Sequence, residues 1–177
     1  YGKDFILVGV TGSVGKTSTK DMISNVLSEK YKTLKTEGNH NSRIGMPSTI
    51  LNLNNHEAAV IEMGMSNLGE ITRLSKIAEP KISVITNVGT AHIGILGSRE
   101  NILKAKLEIL DGMDKKVLVM NNDNDLLHDF YLNNKKYLIN VIMPVIIKNT
   151  GTTYLFNFFI YLSTKNKMNN ITQKNIE

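Results

Sequence analysis

A glycine-rich segment near the start of the chain, Gly9-Val-Thr-Gly-Ser-Val-Gly-Lys-Thr-Ser, has the composition of a phosphate-binding loop. Backbone N–H groups at the start of a helix bind phosphate oxygens, and the helix dipole adds to the attraction. Gly12 and Gly15 let the backbone curve around an anion because they carry no Cβ. The Lys16 ammonium can reach the β- and γ-phosphates, and the Thr17 hydroxyl can take one position on Mg²⁺. The segment therefore predicts a site for a nucleoside triphosphate.

The loop departs by one position from the strict pattern G-x-x-x-x-G-K-S/T, which places glycine where this chain has Val10. Gly9 lies one residue too early for that pattern. A glycine-rich turn between a strand and a helix can also be purely structural. The Gly-Lys-Thr triplet at residues 15–17, placed at such a turn, makes nucleotide binding the favoured interpretation.

Two further polar side chains follow apolar runs and could meet this loop. Glu62 ends the run that starts at Ala58, so its carboxylate is expected at the carboxyl edge of a sheet, where α/β proteins bind ligands. His92 lies five residues after Asn87, in the loop that follows the next run. Taken alone, the glutamate would be an ordinary loop acid and the histidine a surface or core imidazole.

Lys106 and the segment Gly38-Asn-His-Asn have plainer explanations when each is considered alone. The lysine lies on a predicted helix close to Lys104, and lysines in such positions usually belong to a solvated face. The Gly-Asn dipeptide commonly makes a turn.

The elements that must position these residues follow from apolar runs that alternate with helical patterns, which predict stacked βα units. Strands are predicted at Phe5 to Val10, Ala58 to Met63, Ile82 to Thr86 and Lys116 to Met120, with weaker indications near 33–36 and 137–142. Helices are predicted at Lys16 to Lys30, at about Leu68 to Ala78 before Pro80, and at Arg99 to Leu110. The predicted fold class is α/β, with a mostly parallel sheet that carries the phosphate loop and has helices on both faces.

The bulk composition, 41% hydrophobic and 21% charged residues, is typical of a soluble globular protein. The absence of cysteine excludes disulfides and thiolate metal sites. The apolar stretch Tyr154 to Leu162 is about half of a membrane span, and no export signal is visible, so a cytoplasmic location is expected. The net charge of +5 comes from scattered lysines without aromatic residues between them, so we expect no nucleic-acid partner. We expect a monomer.

The composition changes after about Tyr131, where asparagine, isoleucine, lysine and phenylalanine dominate and no acidic residue occurs before Glu177. We therefore predict a domain at residues 1–130 and a divergent tail at residues 131–177, to which no chemistry is assigned. The change in composition and the abrupt start at Tyr1 lead us to expect the product of a truncated or frame-shifted gene.

Five segments together resemble the Mur ligase family, which includes the folylpolyglutamate synthases. Thr11-Gly-Ser-Val-Gly-Lys-Thr-Ser resembles its TGTNGKTT-type loop. Gly38-Asn-His-Asn-Ser-Arg-Ile-Gly-Met-Pro and Glu62-Met-Gly-Met-Ser-Asn-Leu-Gly-Glu-Ile resemble G-N-x-N-N-x-I-G-x-P and E-M-G-x-x-x-x-G-E-I of the branch that adds D-alanyl-D-alanine. Asn87-Val-Gly-Thr-Ala-His and Ala105-Lys-Leu are similar to the shared N-x-x-x-x-H and A-K motifs. The resemblance covers Phe5 to Asp125.

The resemblance implies roles for the matched positions. ATP would be bound by Thr11, Gly12, Ser13, Val14, Gly15, Lys16, Thr17, Ser18 and Asn87. Mg²⁺ would be held by Thr17, Glu62 and His92, and the substrate would be contacted by Asn39, His40 and Asn41. The implied catalytic residues are Lys16, His92 and Lys106, and Lys106, rather than Lys104, would be carbamylated by CO₂ to support the metal. His40 and Ser42-Arg43 depart from the usual residues of the family, so the side-chain roles in that loop stay open.

The activity implied by the resemblance is ATP-dependent amide ligation in peptidoglycan precursor synthesis. D-alanyl-D-alanine would be joined to UDP-N-acetylmuramoyl-tripeptide through an acyl phosphate, with ATP and Mg²⁺ as cofactors. The family's N-terminal UDP-binding domain and its C-terminal domain have no counterpart in the sequence, so we expect the isolated chain to be inactive. The alternatives are a non-catalytic ATP-binding fragment and a folylpolyglutamate synthase-like ligase. A GTPase is disfavoured because no Asn-Lys-x-Asp motif follows the third or fourth strand.

Overall fold

A parallel sheet in the order β2-β3-β1-β4-β5-β6 forms the centre of the computed structural model, which describes residues 4–114, 117–134 and 138–142. The strands are β1 Ile6–Thr11, β2 Thr33–Lys35, β3 Ala58–Glu62, β4 Ile82–Ile85, β5 Val117–Asn121 and β6 Leu138–Ile142. The helices are α1 Lys16–Ser28, α2 Gly45–Leu51, α3 Glu70–Ala78, α4 Ile93–Leu96, α5 Arg99–Leu107 and α6 Asp125–Asn133, with a 3-10 turn at Glu108–Leu110. Every pair of neighbouring strands is parallel.

Both faces of the sheet are buried, which explains why its strands read as continuous apolar runs. On one face, Leu7, Ile61 and Ile85 pack with residues of α3 and α5. On the other face, the valines of β1, β3 and β4 pack against α1 through Ile23 and Leu27. The predicted α/β class, with helices on both faces of a parallel sheet, is confirmed.

The strand order places the carboxyl ends of β3, β1 and β4 next to one another at one edge of the sheet. β1 pairs with β3 on one side and with β4 on the other, so the chain turns in opposite directions after β1 and after β3. In open α/β sheets, the crevice beyond the carboxyl ends of such strands is where ligands bind. The residues that follow β1, β3 and β4 are those of the phosphate loop, the Glu62 segment and the Asn87 loop.

A row of hydrogen bonds, here termed the α3–α5 seam, fastens α3 to the turn that follows α5. The Glu108 carboxylate accepts from the backbone amides of Gly69 (2.7 Å) and Thr72 (3.1 Å) at the start of α3. Ser75 Oγ donates to the Ile109 carbonyl across 2.5 Å and accepts from the Gly112 amide at 3.0 Å. The seam fixes the helix that carries Lys106 relative to the segment that follows Glu62.

The predicted strands and helices are confirmed wherever the chain is described, including the weaker strands near 33–36 and 137–142. The helix predicted to reach Leu110 is α-helical only to Leu107 and ends in the 3-10 turn. Three short helices, α2, α4 and α6, were not predicted. β6 lies inside the predicted tail and adds to the sheet beside β5. The apolar stretch Tyr154 to Leu162 and the rest of the tail from residue 143 lie outside the described residues.

No helix in the described part of the chain has the length and apolar content needed to cross a bilayer.

Candidate functional site

The phosphate loop leaves the sheet at Thr11, because the two residues before it belong to the core. Val10 is fully buried on the α1 face, and a Cβ on Gly9 would lie 3.2 Å from Ile109 Cδ1 on the other face. The departure from the strict loop pattern therefore has a structural reason: position 10 lies inside β1, and Gly9 permits close packing against the turn after α5.

Two glycines of the loop are required by its geometry. A Cβ on Gly12, whose φ is 154°, would lie 1.8 Å from Thr86 Oγ1 and 3.0 Å from Thr86 Cβ, so Thr86 would have to move. Gly15 caps α1 with a φ of 80°, in the left-handed region that glycine adopts without strain. The loop can therefore lie directly against the residues that follow β4.

Asn87 braces the outer part of the loop. Its Oδ1 accepts from the backbone amides of Ser13 (3.1 Å) and Val14 (2.9 Å), while Ser13 Oγ accepts from the Gly89 amide at 3.0 Å. These two loop amides are engaged by protein oxygens. The N–H groups in the first turn of α1, from Lys16 to Ser18, have no intrahelical acceptor and are the ones that can reach phosphate oxygens.

A cleft of about 430 Å³ opens beside the loop and collects the basic side chains of the site. Lys16, Lys106, His92 and Arg43 line it, while Glu70 is its one lining carboxylate among the described residues. Lys16 Nζ donates to the Gly12 carbonyl across 3.1 Å, which holds the ammonium against the loop. This distribution of charge suits an anionic ligand.

Glu62 is buried at the end of β3, with only 1% of its surface exposed, and hydrogen bonds fix its orientation. Its Oε2 accepts from Thr17 Oγ1 at 2.9 Å, and its Oε1 accepts from Asn41 Nδ2 at 2.8 Å. Its backbone N–H donates to Thr36 Oγ1 across 2.9 Å. The phosphate loop, the end of β3 and the segment after β2 therefore meet at one carboxylate.

The oxygens of Thr17 and Glu62 fit a bound Mg²⁺. A carboxylate beside a hydroxyl at the start of a phosphate-binding helix provides hard oxygen ligands, and Mg²⁺ in such sites takes its remaining ligands from substrate phosphates and water. The residues that the structure describes hold no group of three or more histidine or acidic side chains around one point. An ion here would thus depend on the nucleotide for much of its coordination.

His92 lies in the same connection as Asn87, between β4 and α4. It lines the cleft, is exposed, and caps α4 with a left-handed φ of 68°. Its loop is fixed to the helices behind it, because Arg99 Nη2 and Asn124 Nδ2 both donate to the Val88 carbonyl at 3.0 Å. The structure brings His92 together with Lys16 and Lys106, and Glu62 is not among the residues that line this space.

Lys106 lies on the buried side of α5 and is 2% exposed, so it is not part of a solvated face. Burial, assisted by the charge of Lys16, lowers the pKa of its ammonium from 10.5 to about 7. Lys104, one position away from Ala105, is exposed. At neutral pH a substantial fraction of Lys106 is therefore the uncharged, nucleophilic amine.

Only part of the predicted substrate loop lines the cleft. Asn41 lines the cleft and reaches Glu62, whereas Asn39 and His40 are exposed and do not line it. Ser42 and Arg43 take part in the lining instead. The loop is compact, since a Cβ on Gly45 would lie 2.7 Å from His40 Cα.

Several residues that shape the site were missed in the sequence. Arg43 and Glu70 line the cleft, and Ser66 N–H, which donates to the Glu70 carboxylate at 2.7 Å, lowers the pKa of that group below its usual range. Glu108 supports the site from the α3–α5 seam. Glu70 could have been found from the Gly-Glu-Ile motif to which it belongs. Arg43 and Glu108 belong to no spacing pattern that indicates a chemical role.

The chain is similar to known proteins in its family profile, in its sequence and in its structure. The family profile of the Mur ligase middle domain matches residues 10–176. The UDP-N-acetylmuramoyl-tripeptide–D-alanyl-D-alanine ligase of Bacillus subtilis (strain 168) is 52% identical over 127 residues, which cover 71% of this chain and 28% of that protein. The chain thus spans about a quarter of the length of such relatives.

Two solved structures are similar to this chain. The structure of MurF from Acinetobacter baumannii superposes with a TM-score of 0.73 at 36% identity and covers 78% of this chain and 31% of that one. The MurF ligase from Thermotoga maritima in complex with ADP gives a TM-score of 0.70 at 38% identity, with 78% and 32% covered.

Proposed function

The chain belongs to the Mur ligase family, whose middle domain it matches, and we propose on this basis that it forms the ATP-binding centre of an amide ligase. The proposed reaction joins D-alanyl-D-alanine to UDP-N-acetylmuramoyl-tripeptide, the reaction for which the Bacillus subtilis relative is named. The observation that carries the proposal is the hydrogen bond between Thr17 of the phosphate loop and the Glu62 carboxylate, 2.9 Å long.

ATP is proposed to bind with its phosphates at the start of α1. The first-turn amides from Lys16 to Ser18 and the Lys16 ammonium supply positive charge there. The likeness to a ligase structure that contains ADP supports this placement. Asn87 acts in this proposal through the loop, since its carboxamide already accepts from Ser13 and Val14 and keeps the curve of the loop open for the nucleotide.

Thr17 and Glu62 are the residues proposed to hold Mg²⁺, together with His92, which lines the cleft. The bound ion would supply neutralisation of the negative charge on the phosphates. The two hydrogen bonds that fix Glu62 keep its oxygens in place before the nucleotide arrives, so little reorganisation is required.

The first proposed step forms a bond between a carboxylate oxygen of the tripeptide and the γ-phosphorus of ATP. The bond from that phosphorus to its bridging oxygen breaks, and ADP leaves with the electron pair. Lys16 stays beside the oxygens on which negative charge develops, which is the main assistance such a transfer needs. Asn41, between the cleft and Glu62, is proposed to orient the tripeptide carboxylate.

The second proposed step is attack by the amine nitrogen of D-alanyl-D-alanine on the acyl carbon. The nitrogen loses a proton to solvent, the bond from the acyl carbon to the phosphate oxygen breaks, and inorganic phosphate leaves with the electron pair as the amide forms. Lys106 is proposed to react with CO₂ and become an anionic carbamate that supports the metal. We propose a cytoplasmic location, where ATP is available as the phosphoryl donor.

Nucleotide binding by the 177-residue chain tests whether the Thr17–Glu62 pair holds Mg²⁺. Isothermal titration calorimetry with ATP, with and without Mg²⁺, is expected to show that Mg²⁺ tightens binding. In Glu62→Gln this gain is expected to be lost, because one carboxylate ligand is removed. The matched control is Glu29→Gln, an exposed acid at the end of α1, which should retain it. An equal gain in wild type and Glu62→Gln would contradict the assignment.

Phosphate release from ATP in the presence of both substrates tests the ligase reaction itself. Binding of Mg²⁺-ATP without stimulated release would support the alternative of a nucleotide-binding fragment. Stimulation by a folylglutamate substrate, and not by the muramoyl peptide, would support the folylpolyglutamate synthase-like alternative.

A further inference from the structure

Thr11 carries a buried hydroxyl that no contact in the described structure explains. The residue is 1% exposed, and its Oγ1 is the one buried side-chain polar atom, within the described ranges, that has no hydrogen-bond partner. Such orphaned groups are uncommon in native proteins and destabilise the fold unless a ligand satisfies them. Thr11 also lines the cleft, so a ligand in the cleft can reach it.

The sheet register fixes the face toward which Thr11 projects. Residues paired across β1 and β4 share a face: Val10 and its partner Val84 both belong to the core beneath α1. Thr11 is paired with Ile85, which belongs to the core beneath α3 and α5. The hydroxyl therefore projects to the α5 side of the sheet.

Helix geometry places Lys106 at the level of Thr11 on that side. Gly9, two residues before Thr11, lies against Ile109, with 3.2 Å between the position of a Cβ and Ile109 Cδ1. α5 connects the parallel strands β4 and β5 and runs opposite to them, so a step back of about one turn from Ile109 moves toward the carboxyl edge of the sheet. Lys106 is three residues before Ile109, and both Lys106 and Thr11 line the cleft.

We propose that Thr11 is the positioning residue for a carbamate formed on Lys106, and that its hydroxyl donates a hydrogen bond to a carbamate oxygen. This inference rests on the proposed function, in which Lys106 takes up CO₂. The uncharged amine nitrogen forms a bond to the carbon of CO₂, one C=O π pair moves to oxygen, and the amine proton passes to solvent. The product places two acceptor oxygens beyond Nζ, and one of them satisfies the orphaned donor.

Carbamate formation on the 177-residue chain can be followed by ¹³C NMR with ¹³C-bicarbonate as the source of CO₂. Lys106→Met, which forms no carbamate at this position, identifies the Lys106 signal by subtraction. Thr11→Val is expected to need about ten-fold more CO₂ for half occupancy, because a hydrogen bond to a charged group is lost. Thr11→Ser, which keeps the hydroxyl, is expected to restore uptake close to that of wild type.

A thermal unfolding measurement distinguishes this role from a structural one. Because the hydroxyl makes no bond within the described chain, Thr11→Val is expected to unfold at a temperature equal to or above that of wild type. A clear loss of thermal stability in Thr11→Val would assign the hydroxyl to the fold and overturn the inference.

The outcomes also separate this inference from the proposed function. A wild-type Lys106 signal that has the same CO₂ dependence in Thr11→Val would overturn the role of Thr11 and leave the carbamate in place. Weaker ATP binding in Thr11→Val with unchanged CO₂ uptake would assign the hydroxyl to the nucleotide instead. A wild-type chain without the Lys106 signal would overturn both the carbamate and its partner, while ATP binding would still be decided by calorimetry.

Discussion

At the scale of single residues, several basic side chains line the cleft, and the charged form of one of them, Lys106, is disfavoured. Lys16, Arg43 and Lys106 line it, and Glu70 is the single acid in its lining among the described residues. Lys16 is stabilised by the Gly12 carbonyl, whereas Lys106 is buried on its helix and lies within the electrostatic influence of Lys16. The uncharged form of Lys106 is therefore favoured by the fold itself, before any ligand is bound.

The stability of the chain should depend on pH through Lys106. The pKa is about 7 in the folded state and 10.5 in the reference state, so between these values the unfolded chain binds more protons. Stability is therefore lowest at and below pH 7 and rises between pH 7 and about 10.5, by about 5 kcal/mol in full. Urea unfolding from pH 7 to 10 in CO₂-free buffers measures this rise.

Lys106→Met should remove the rise and increase stability at pH 7, since a buried charge is replaced by an apolar chain of similar length. Lys104→Met, on the exposed side of the same helix, is the matched control and should keep the wild-type slope. Parallel pH profiles for wild type and Lys106→Met would contradict the burial argument.

At the scale of secondary-structure elements, the sequence pattern was sufficient where an element is long or buried on both sides. β1, β3 and β4 are continuous apolar runs, and α1 and α3 have one apolar face, so each was predicted close to its true bounds. α2 has only seven residues with a proline among them, and α4 has four, too few for a helical period to show. α6 begins six residues before the change in composition at Tyr131, which obscured it.

The candidate site was predictable in part for a similar reason. The phosphate loop is contiguous, so its glycines, Lys16 and Thr17 could be singled out from the Gly-Lys-Thr triplet and its place between a strand and a helix. The Asn87 brace and the Glu108 cap join residues 74 and 39 positions apart, and no local pattern reports which distant amide a side chain will accept from. Only the folded sheet brings those partners together.

Glu108 should act as the N-terminal cap of α3, because Gly69 has no side chain to do so. Glu108→Ala is expected to lower the unfolding free energy by about 1 to 2 kcal/mol through loss of two hydrogen bonds to backbone amides. Hydrogen exchange at the Thr72 amide should become faster. Glu108→Gln keeps one acceptor oxygen and should fall between wild type and alanine; equal effects of the two variants would argue against a capping role.

Gly112 should be intolerant of any side chain, because a Cβ there would lie 2.0 Å from the Ser75 carbonyl oxygen of α3. Gly112→Ala is expected to force the α3–α5 seam apart and to cost about 1 to 3 kcal/mol in unfolding free energy, measured by urea denaturation. In Gly94→Ala, where a Cβ would meet nothing within 4 Å, stability should be unchanged or increased. A stable Gly112→Ala variant would show that the seam can shift.

At the scale of the whole molecule, nucleotide binding and folding are expected to be linked, because the proposed site is made from the ends of β1, β3 and β4 together. Mg²⁺-ATP at about 100 times its dissociation constant should stabilise the folded chain by about 2.7 kcal/mol and raise the unfolding temperature by several degrees. Differential scanning fluorimetry measures the shift. Lys16→Ala should show little shift at the same ATP concentration, and a full shift in that variant would place the nucleotide elsewhere.

The brace by Asn87 also sets the order in which the site becomes available while the chain is being synthesised. Ser13 is translated 74 residues before the side chain that fixes its loop. At a translation rate of about 5 to 20 residues per second, Asn87 is added roughly 4 to 15 s after Ser13. A nascent chain that ends before Asn87 therefore lacks the contacts that shape the loop, and nucleotide cannot serve as an early template for folding. Under the proposed function, ATP would enter only after the central strands have left the ribosome and paired.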